Sequence, residues 1–389
     1  MTPTYDFDRV IDRRHSDSHK WTEYPEDVIG MWLSDMDFPA APEIISALHA
    51  RVEHGVFGYV LPPPQLAELF VEHLRKKYHW EVPVEQVVYS PSTHDGFNLT
   101  AKAVGSPGDS ILMLTPLYPP LLTTPARADR KAITVRFPQD SKGRFILDFD
   151  AIESAIEKNT RMLLFSNPHN PGGHIFTRDE LERLGEICIK HDLIICSDDV
   201  HNGLVYSDAT YTPFAAVSPE LADRSVILTG PSKTYNLPGL KISLAVIPNP
   251  ALRQKIRDQI DRYPYSTLAL VAAMTAYREC DAWYEQMMHY LQANRDYLYQ
   301  FVRSELPEIG LSLPGATYLA WLDCRRLNLP EKASEFFLRE AKVGLTDGTY
   351  FGAGGEGFVR LNFACPRSVL VQALGRIKGA VQRFSQRGG

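Results

Sequence analysis

The sequence from position 232 to position 241 is Ser232-Lys233-Thr234-Tyr235-Asn236-Leu237-Pro238-Gly239-Leu240-Lys241. It follows an apolar run, residues 225–228, that predicts a buried strand. A lysine at a strand end can form a Schiff base with pyridoxal phosphate, and the hydroxyl of Ser232 and the second cation, Lys241, can hold the phosphate. The alternative is an ordinary solvated lysine in a polar loop. The stretch therefore suggests a cofactor site, provided that the chain supplies the other parts of one.

The composition is that of a folded protein with a large core. The 389 residues are 44% hydrophobic and have a formal net charge of −6. At roughly 100–200 residues a domain, this length predicts two domains. The lack of a basic excess argues against nucleic acid and anionic membranes as partners. The N-terminus shows no signal pattern, and no apolar stretch approaches the ~18 residues of a membrane span. We expect a cytoplasmic enzyme or binding protein.

The five cysteines are widely spaced and form no CxxC pair. Most of them lie inside apolar runs, which favours buried free thiols over disulfides or a zinc site. They are Cys188, Cys196, Cys280, Cys324 and Cys365.

The middle of the chain alternates apolar runs with amphipathic segments. The runs predict strands at residues 110–114, 162–165, 193–196, 226–228 and 244–247. Between the second and third, residues 178–191 have helical spacing, with Thr177 as the predicted N-cap. Apolar strands separated by helices indicate an α/β fold with a mostly parallel sheet covered on both faces. In such sheets ligands bind at the carboxyl ends of the strands.

The last third of the chain has a different pattern. Long helices are predicted at residues 251–263 and 268–301, followed by strands at 317–322 and 358–362 and a closing helix at 368–384. We therefore predict a large domain over residues 45–275, and a smaller α+β domain formed by residues 1–44 together with 276–389.

Polar residues follow the central strands. Asn170 lies in the turn after the 162–165 run, where two Asn-Pro pairs either expose its amide toward a ligand or form a plain loop. Asp198, after the 193–196 run, could pair with a protonated pyridine nitrogen, and His201 could hydrogen-bond the ring oxygen. A helix cap by Asp198 or Asp199 and an Asp198/His201 metal pair are the alternatives, although no further metal ligands of suitable spacing are evident.

Other candidates lie near further strand ends. Residues 90–96 precede a predicted helix at 97–104, and hydroxyls and free N–H groups there could bind an anion or simply cap the helix. Tyr118 could stack on a planar cofactor or pack as an ordinary loop aromatic. Arg360 lies inside an apolar strand, where it needs a partner, either a substrate carboxylate or a structural salt bridge.

Taken together, these motifs resemble the fold-type-I pyridoxal-phosphate enzymes of the aminotransferase class I/II superfamily, over nearly the whole chain. More narrowly, the chain is similar to the cystathionine β-lyase (C–S lyase) branch of the MalY and PatB type. The segments that carry this narrower resemblance are Trp32-Leu33-Ser34-Asp35-Met36-Asp37-Phe38, Val52-Glu53-His54-Gly55-Val56-Phe57-Gly58-Tyr59, Ser197-Asp198-Asp199-Val200-His201, Ser232-Lys233-Thr234-Tyr235-Asn236-Leu237 and Arg360-Leu361-Asn362-Phe363-Ala364-Cys365-Pro366-Arg367. His201 stands where classical aminotransferases carry Tyr, which favours the lyase branch.

The resemblance implies a role for each candidate. Lys233 would be the Schiff-base lysine and would move the Cα proton, Asp198 would pair with the pyridine nitrogen, and Tyr118 would stack on the ring. Asn170 and His201 would flank the ring oxygen, and Arg360 would bind the substrate carboxylate. The phosphate would be held by Thr93, His94, Ser232, Lys241 and, from the second subunit of a homodimer, Tyr59.

The chain departs from the family pattern at three places. The phosphate loop is Pro91-Ser92-Thr93-His94 followed by an acid, Asp95, which is unfavourable beside a phosphate unless it caps its own helix or faces the substrate. Gly230 stands where many relatives carry Ser, and Tyr211 stands where the branch often has His. The principal hypothesis is β-elimination from an L-cysteine S-conjugate such as cystathionine. The alternatives are an aminotransferase or another Cα reaction of specialised metabolism, and a non-catalytic protein that binds partners.

Overall fold

A seven-stranded β-sheet, a four-stranded β-sheet and a short two-stranded β-sheet organise the described part of the chain. In a computed structural model, residues 3–260 and 265–387 are described. The strands are β1 (Ile29–Gly30), β2 (Val87–Ser90), β3 (Ser110–Thr115), β4 (Lys131–Arg136), β5 (Thr160–Ser166), β6 (Ile194–Asp198), β7 (Ser225–Thr229), β8 (Ser243–Val246), β9 (Gly310–Leu311), β10 (Leu319–Asp323), β11 (Val343–Gly344), β12 (Thr346–Asp347) and β13 (Phe358–Asn362).

Helices cover the two larger sheets. They are α1 (His19–Thr22), α2 (Pro42–Glu53), α3 (Pro64–Tyr78), α4 (Thr93–Ala103), α5 (Pro119–Arg127), α6 (Phe149–Ser154), α7 (Arg178–Lys190), α8 (Pro219–Asp223), α9 (Pro231–Thr234), α10 (Pro250–Arg257), α11 (Thr267–Glu279), α12 (Asp281–Glu305), α13 (Ala333–Phe336) and α14 (Arg367–Gln386). Within the described ranges, no helix is both long and apolar enough to cross a membrane.

The larger sheet has seven strands in the order β2-β8-β7-β6-β5-β3-β4. All neighbours are parallel except for β8, which is antiparallel to both β2 and β7. The central strands β3 and β7 are buried along their whole length because helices cover both faces. This confirms the predicted mostly parallel α/β sheet.

The predicted helices are correct in type but differ at several ends. Helix α7 begins as expected, because Thr177 and Glu180 form a capping box. Helix α4 begins at Thr93 rather than at residue 97, because Ser92 is its N-cap and accepts a hydrogen bond from the backbone N–H of Asp95. The prediction of a helix starting four residues later was therefore wrong.

The long helix predicted over residues 268–301 is two helices. Cys280 leaves the helical conformation between α11 and α12, and Asp281 occupies the first turn of α12, where a carboxylate favours a helix start. Helix α10 ends at Arg257, before the predicted end, and Tyr263 lies outside the described residues.

The smaller sheet is antiparallel, in the order β12-β13-β10-β9. The N-terminal segment packs with it: β1 pairs in parallel with β11, and the backbone N–H of Asp37 donates to the carbonyl of Ala364 at 2.8 Å. One hydrophobic cluster combines residues of the first 44 positions with residues of α12, β10, β13 and α14. We propose on this basis the division into residues 45–275 and residues 1–44 with 276–389. All five cysteines are buried free thiols, as predicted.

Candidate active site

The polar residues predicted at strand ends meet at one edge of the seven-stranded sheet. Asp198 ends β6 and pairs in register with the last residue of β5 and with Leu228 of β7. Lys233 follows β7 on the short helix α9, and Asn170 follows β5. Arg360 approaches from the smaller sheet, and its Nη1 donates to Asn170 Oδ1 at 3.0 Å. The site is therefore built between the two sheets.

The amine of Lys233 lies in a partly open position at the bottom of this space. Its Nζ donates to the backbone carbonyl of Ser34 at 2.6 Å. The pKa of Lys233 is lowered to about 8, first by burial and then by the positive charge of Arg360, with Asp35 and Asp198 acting in the opposite direction. A lysine with this pKa is neutral much more often at physiological pH than an exposed lysine is, and a neutral amine is a nucleophile and a base.

Asp198 is a buried carboxylate, with 4% of its surface exposed. Burial raises its pKa to about 7, against the lowering effect of the Val200 N–H and of Lys233. The only hydrogen bond to its carboxylate within the described residues comes from that N–H, at 3.4 Å. The charge of Asp198 in turn helps burial to raise the pKa of half-buried Tyr118, at the start of α5. The carboxylate of Asp198 can therefore accept a further hydrogen bond from a ligand.

A second buried acid lies behind Asp198. Asp199 accepts short hydrogen bonds from the hydroxyls of Ser197 and Tyr211. The pKa of Asp199 is raised to about 8, mainly by burial. The hydrogen bonds from Ser197 and Tyr211 lower it, and the charge of Asp198 raises it. Tyr211, which departs from the family pattern, thus supplies a buried hydrogen-bond donor to this acid. From sequence, Asp199 was considered only as a helix cap, and its hydrogen bonds to Ser197 and Tyr211 were not predicted.

His201 is buried beside the same space. Its Nδ1 has no hydrogen-bond partner in the described part of the chain. Burial holds the pKa of His201 well below its ordinary value, and Lys233 and Arg360 lower it further, so the ring is neutral. Its ring lies edge-on to Tyr318 with 5.9 Å between centroids. Among the described residues, no group of three or more His, Cys, Asp or Glu side chains could hold a metal ion.

Arg360 is 5% exposed and forms no salt bridge with any described residue. Its Nη2 donates to the carbonyl of Trp32 at 2.8 Å, its Nε has no partner in the described ranges, and its guanidinium lies 4.9 Å from the ring centroid of Phe351. A structural salt bridge, the alternative considered from sequence, is therefore not what holds it. A buried guanidinium without a carboxylate is suited to bind one from a ligand.

Residues 32–38 form a wall of the site, with Ser34 accepting hydrogen bonds at one carbonyl from both Lys233 and Tyr318. Asn236 exchanges hydrogen bonds with the backbone of Met36, and Asn362 Nδ2 donates to the carbonyls of Leu33 and Asp35 at 2.6 and 2.7 Å. This segment is one of those that carry the family resemblance, but the resemblance implied no role for its residues. The hydrogen bonds from two asparagines were not predictable from local pattern.

The residues predicted to bind phosphate lie at the start of α4 and after α9. Ser92 also donates to the Asp95 carboxylate at 2.5 Å, so the acid turns back onto its own helix cap. Thr93 and His94 follow this cap, and the positive charge of Lys241 contributes to the lowered pKa of His94, whose largest cause is burial. Because Asp95 interacts with the cap of its own helix, its negative charge is tolerated beside the predicted phosphate loop.

The backbone conformation explains the residue at position 230, and position 59 differs from the other candidates in its exposure. Gly230 has a φ of +157°, and a Cβ there would lie 3.1 Å from the carbonyl oxygen of Ile242, so the close approach of β8 favours glycine over serine. Tyr59 is 89% exposed, in a stretch with exposed Val56, Phe57 and Leu61. The contacts and charge interactions described above connect one group of predicted site residues, Lys233, Asp198, Tyr118, His201, Arg360 and Asn170, and a second pair, His94 and Lys241.

Comparison with known proteins gives the family model "Aminotransferase class I and II", which matches residues 26–377. The chain is 32% identical to the cystathionine beta-lyase PatB of Bacillus subtilis, over 96% of this chain and 99% of that protein.

Solved structures also match the chain over nearly its whole length. A crystal structure of OvoB has a TM-score of 0.92 and 39% sequence identity, covering 97% of this chain and 99% of its own. Cystalysin from Treponema denticola, whose structure contains a pyridoxal 5'-phosphate cofactor, has a TM-score of 0.93 and 30% identity, covering 98% and 100%.

Proposed function

The chain belongs to the aminotransferase class I and II family, and we propose that it is a pyridoxal-phosphate-dependent carbon–sulfur β-lyase. Its substrate would be L-cystathionine or another L-cysteine S-conjugate. With cystathionine, one water is consumed and the products are homocysteine, pyruvate and ammonia. The observation that carries the proposal is the convergence of an amine, a carboxylate and a guanidinium: the charges of Asp198 and Arg360 both act on the pKa of Lys233.

The unsatisfied polar groups of the site fit pyridoxal phosphate. His201 Nδ1 and Arg360 Nε are buried and lack partners among the described residues, and Asp198 accepts one long hydrogen bond. A ligand with a protonated ring nitrogen and a ring oxygen would use Asp198 and His201. Because Arg360 donates to Asn170 Oδ1, the amide Nδ2 of Asn170 can donate to the ring oxygen.

The residues of the chain would divide the work as follows. Lys233 would hold the cofactor and, once displaced by the substrate amine, would remove the proton from Cα. The bound cofactor supplies an electron-withdrawing ring that accepts the electron pair left at Cα. Asp198 would keep the ring nitrogen protonated, and Arg360 would fix the substrate carboxylate. When the Cβ–S bond breaks, the proton on Lys233 can pass to the departing sulfur.

The lyase branch is supported by the names of the relatives and by His201. The chain shares 32% identity over its length with a protein named cystathionine beta-lyase. The neutral imidazole of His201 replaces the phenol of classical aminotransferases at the position that would meet the ring oxygen. To test the proposal, purified protein and pyridoxal phosphate are incubated with L-cystathionine, and pyruvate and free thiol are assayed. Absence of both products from every S-substituted L-cysteine would refute it.

We also propose a cytoplasmic homodimer in which Tyr59 reaches the phosphate of the neighbouring subunit. The side chains of Val56, Phe57 and Leu61 are 63%, 57% and 61% exposed, and such an apolar stretch is suited to burial against a second subunit.

Capture of the cofactor should depend on pH with a midpoint near 8. The pKa of Lys233 is lowered from 10.5 to about 8, and only the neutral amine, which predominates above the pKa, attacks the cofactor's aldehyde. In protein stripped of cofactor, the rate constant for binding pyridoxal phosphate, followed by visible absorbance, should rise with pH and level off above about 8. In Arg360→Gln, which removes a neighbouring positive charge, the midpoint should move upward. A midpoint at the ordinary lysine value would contradict the assignment.

A further inference from the structure

A second cleft, of about 1470 Å³, lies between the loop after β4 and the smaller sheet with α12. We call it the basic groove. Its cationic lining residues outnumber the anionic Asp140 and Asp323 by six to two, although the chain as a whole is acidic. The cationic residues are Arg136, Lys142, Arg144, Arg303, Arg325 and Arg326.

Most of this positive charge is not neutralised within the protein. The two acids pair locally, Arg144 Nε with Asp140 at 3.5 Å and Arg325 Nη2 with Asp323 at 2.6 Å. Within residues 3–260 and 265–387, no salt bridge is formed by Arg136, Lys142 or Arg303, and Arg326 donates to a backbone carbonyl. The groove therefore has a concentrated positive field, open to solvent on one side.

A buried donor without a partner lies in the wall of the basic groove. Trp321 is 5% exposed, and its Nε1 has no acceptor in the described part of the chain. The indole is fixed by its neighbours: it stacks on Phe358, with centroids 5.1 Å apart and planes 8° apart, and meets Phe351 edge-on at 5.2 Å. A buried N–H without an acceptor is costly, so an acceptor supplied by a ligand would be stabilising here.

The loop that presents two of the cations is itself ordered by hydrogen bonds. The N–H of Asp140 donates to the carbonyl of Arg144 at 2.9 Å, and the N–H of Ile146 donates to that of Pro138 at 2.9 Å. Lys142 and Arg144 are therefore held at the tip of a folded hairpin loop rather than on a free tether.

We propose that the basic groove binds a small, multiply charged oxyanion, a phosphorylated or polycarboxylate metabolite distinct from the amino-acid substrate. Guanidinium groups bind such oxyanions bidentately, and Trp321 would add a neutral donor. The wall also adjoins the candidate active site, because Trp321 pairs with Arg360 across β10 and β13, and both contact Phe351. An occupant would therefore alter the packing around the residue proposed to bind the substrate carboxylate.

The test is calorimetric titration of the cofactor-loaded protein with inorganic pyrophosphate and, separately, with citrate. Bound pyridoxal phosphate keeps the proposed phosphate site filled. We expect saturable binding of one of these anions per chain, with an affinity that falls as salt is raised from about 50 to about 200 mM. Which probe binds distinguishes a phosphorylated from a polycarboxylate ligand.

Two variants locate the binding. Arg136→Gln combined with Arg303→Gln removes two exposed, unpaired cations and should weaken binding by about tenfold or more. Trp321→Phe keeps an aromatic ring but removes the N–H and should weaken binding by severalfold, provided that its thermal midpoint shows a folded protein. The matched control is Arg278→Gln on α11, an exposed arginine paired with Glu279 outside the groove.

The proposal is overturned if neither probe binds saturably at low salt, or if Arg278→Gln weakens binding as much as the double variant does. Since the readout is binding, the result is independent of whether the protein is a β-lyase.

Discussion

Replacement of Lys233 by alanine is expected to lower the rate of pyruvate release from L-cystathionine by about 10³-fold or more. The variant loses the amine that holds the cofactor and the base that would take the Cα proton. No nearby side chain is expected to do both, because Asp198 would be occupied in pairing with the ring, and burial holds the pKa of His201 well below its ordinary value, which makes it a weak base. The measurement is the initial rate at saturating pyridoxal phosphate.

The control for this variant is Lys190→Ala, which removes an exposed amine on α7 that pairs with Glu153. It should retain the wild-type rate. Partial recovery of Lys233→Ala by an added small primary amine would identify the missing group as a base. A wild-type rate in Lys233→Ala would contradict every catalytic role assigned here.

Replacement of Arg360 by glutamine should reduce kcat/KM for the amino acid by about 30- to 4000-fold. This range corresponds to the ~2–5 kcal/mol lost when one partner of a buried, hydrogen-bonded ion pair is removed. The effect is expected to be large because Arg360 is buried and forms no salt bridge with any described residue, so the substrate would be its anionic partner. Arg278→Gln is again the control with the same charge change.

A substrate without a free carboxylate separates binding from folding defects. The methyl ester of an S-substituted L-cysteine should be a poor substrate for the wild-type protein, and the Arg360→Gln variant should be no worse with it than the wild type. If Arg360→Gln loses as much activity on the ester as on the acid, the guanidinium does not bind the carboxylate, and its role is structural.

The residues that follow the strands of the sheet were predictable from sequence. Lys233 and Asp198 come directly after apolar runs, and a parallel sheet brings such residues to one edge. Arg360 was notable because a charge inside an apolar strand requires a partner. In each case, a short local pattern contains the information.

Contacts between distant parts of the chain were not predictable from that pattern. The carbonyl of Ser34 that accepts from Lys233 lies 199 positions away, and a backbone carbonyl has no sequence signal. The hydrogen bond from the Tyr211 hydroxyl to Asp199 likewise depends on how the loop that contains Tyr211 packs against the end of β6. The break at Cys280 was missed because helical periodicity continues through it.

The most direct test of the account is the product ratio when L-cystathionine is incubated with the cofactor-loaded protein and 2-oxoglutarate. A β-lyase releases pyruvate, ammonia and thiol in equal amounts and forms no glutamate, and we predict this result. Glutamate formed in step with the loss of substrate, without free thiol, would show amino transfer and would contradict the central claim.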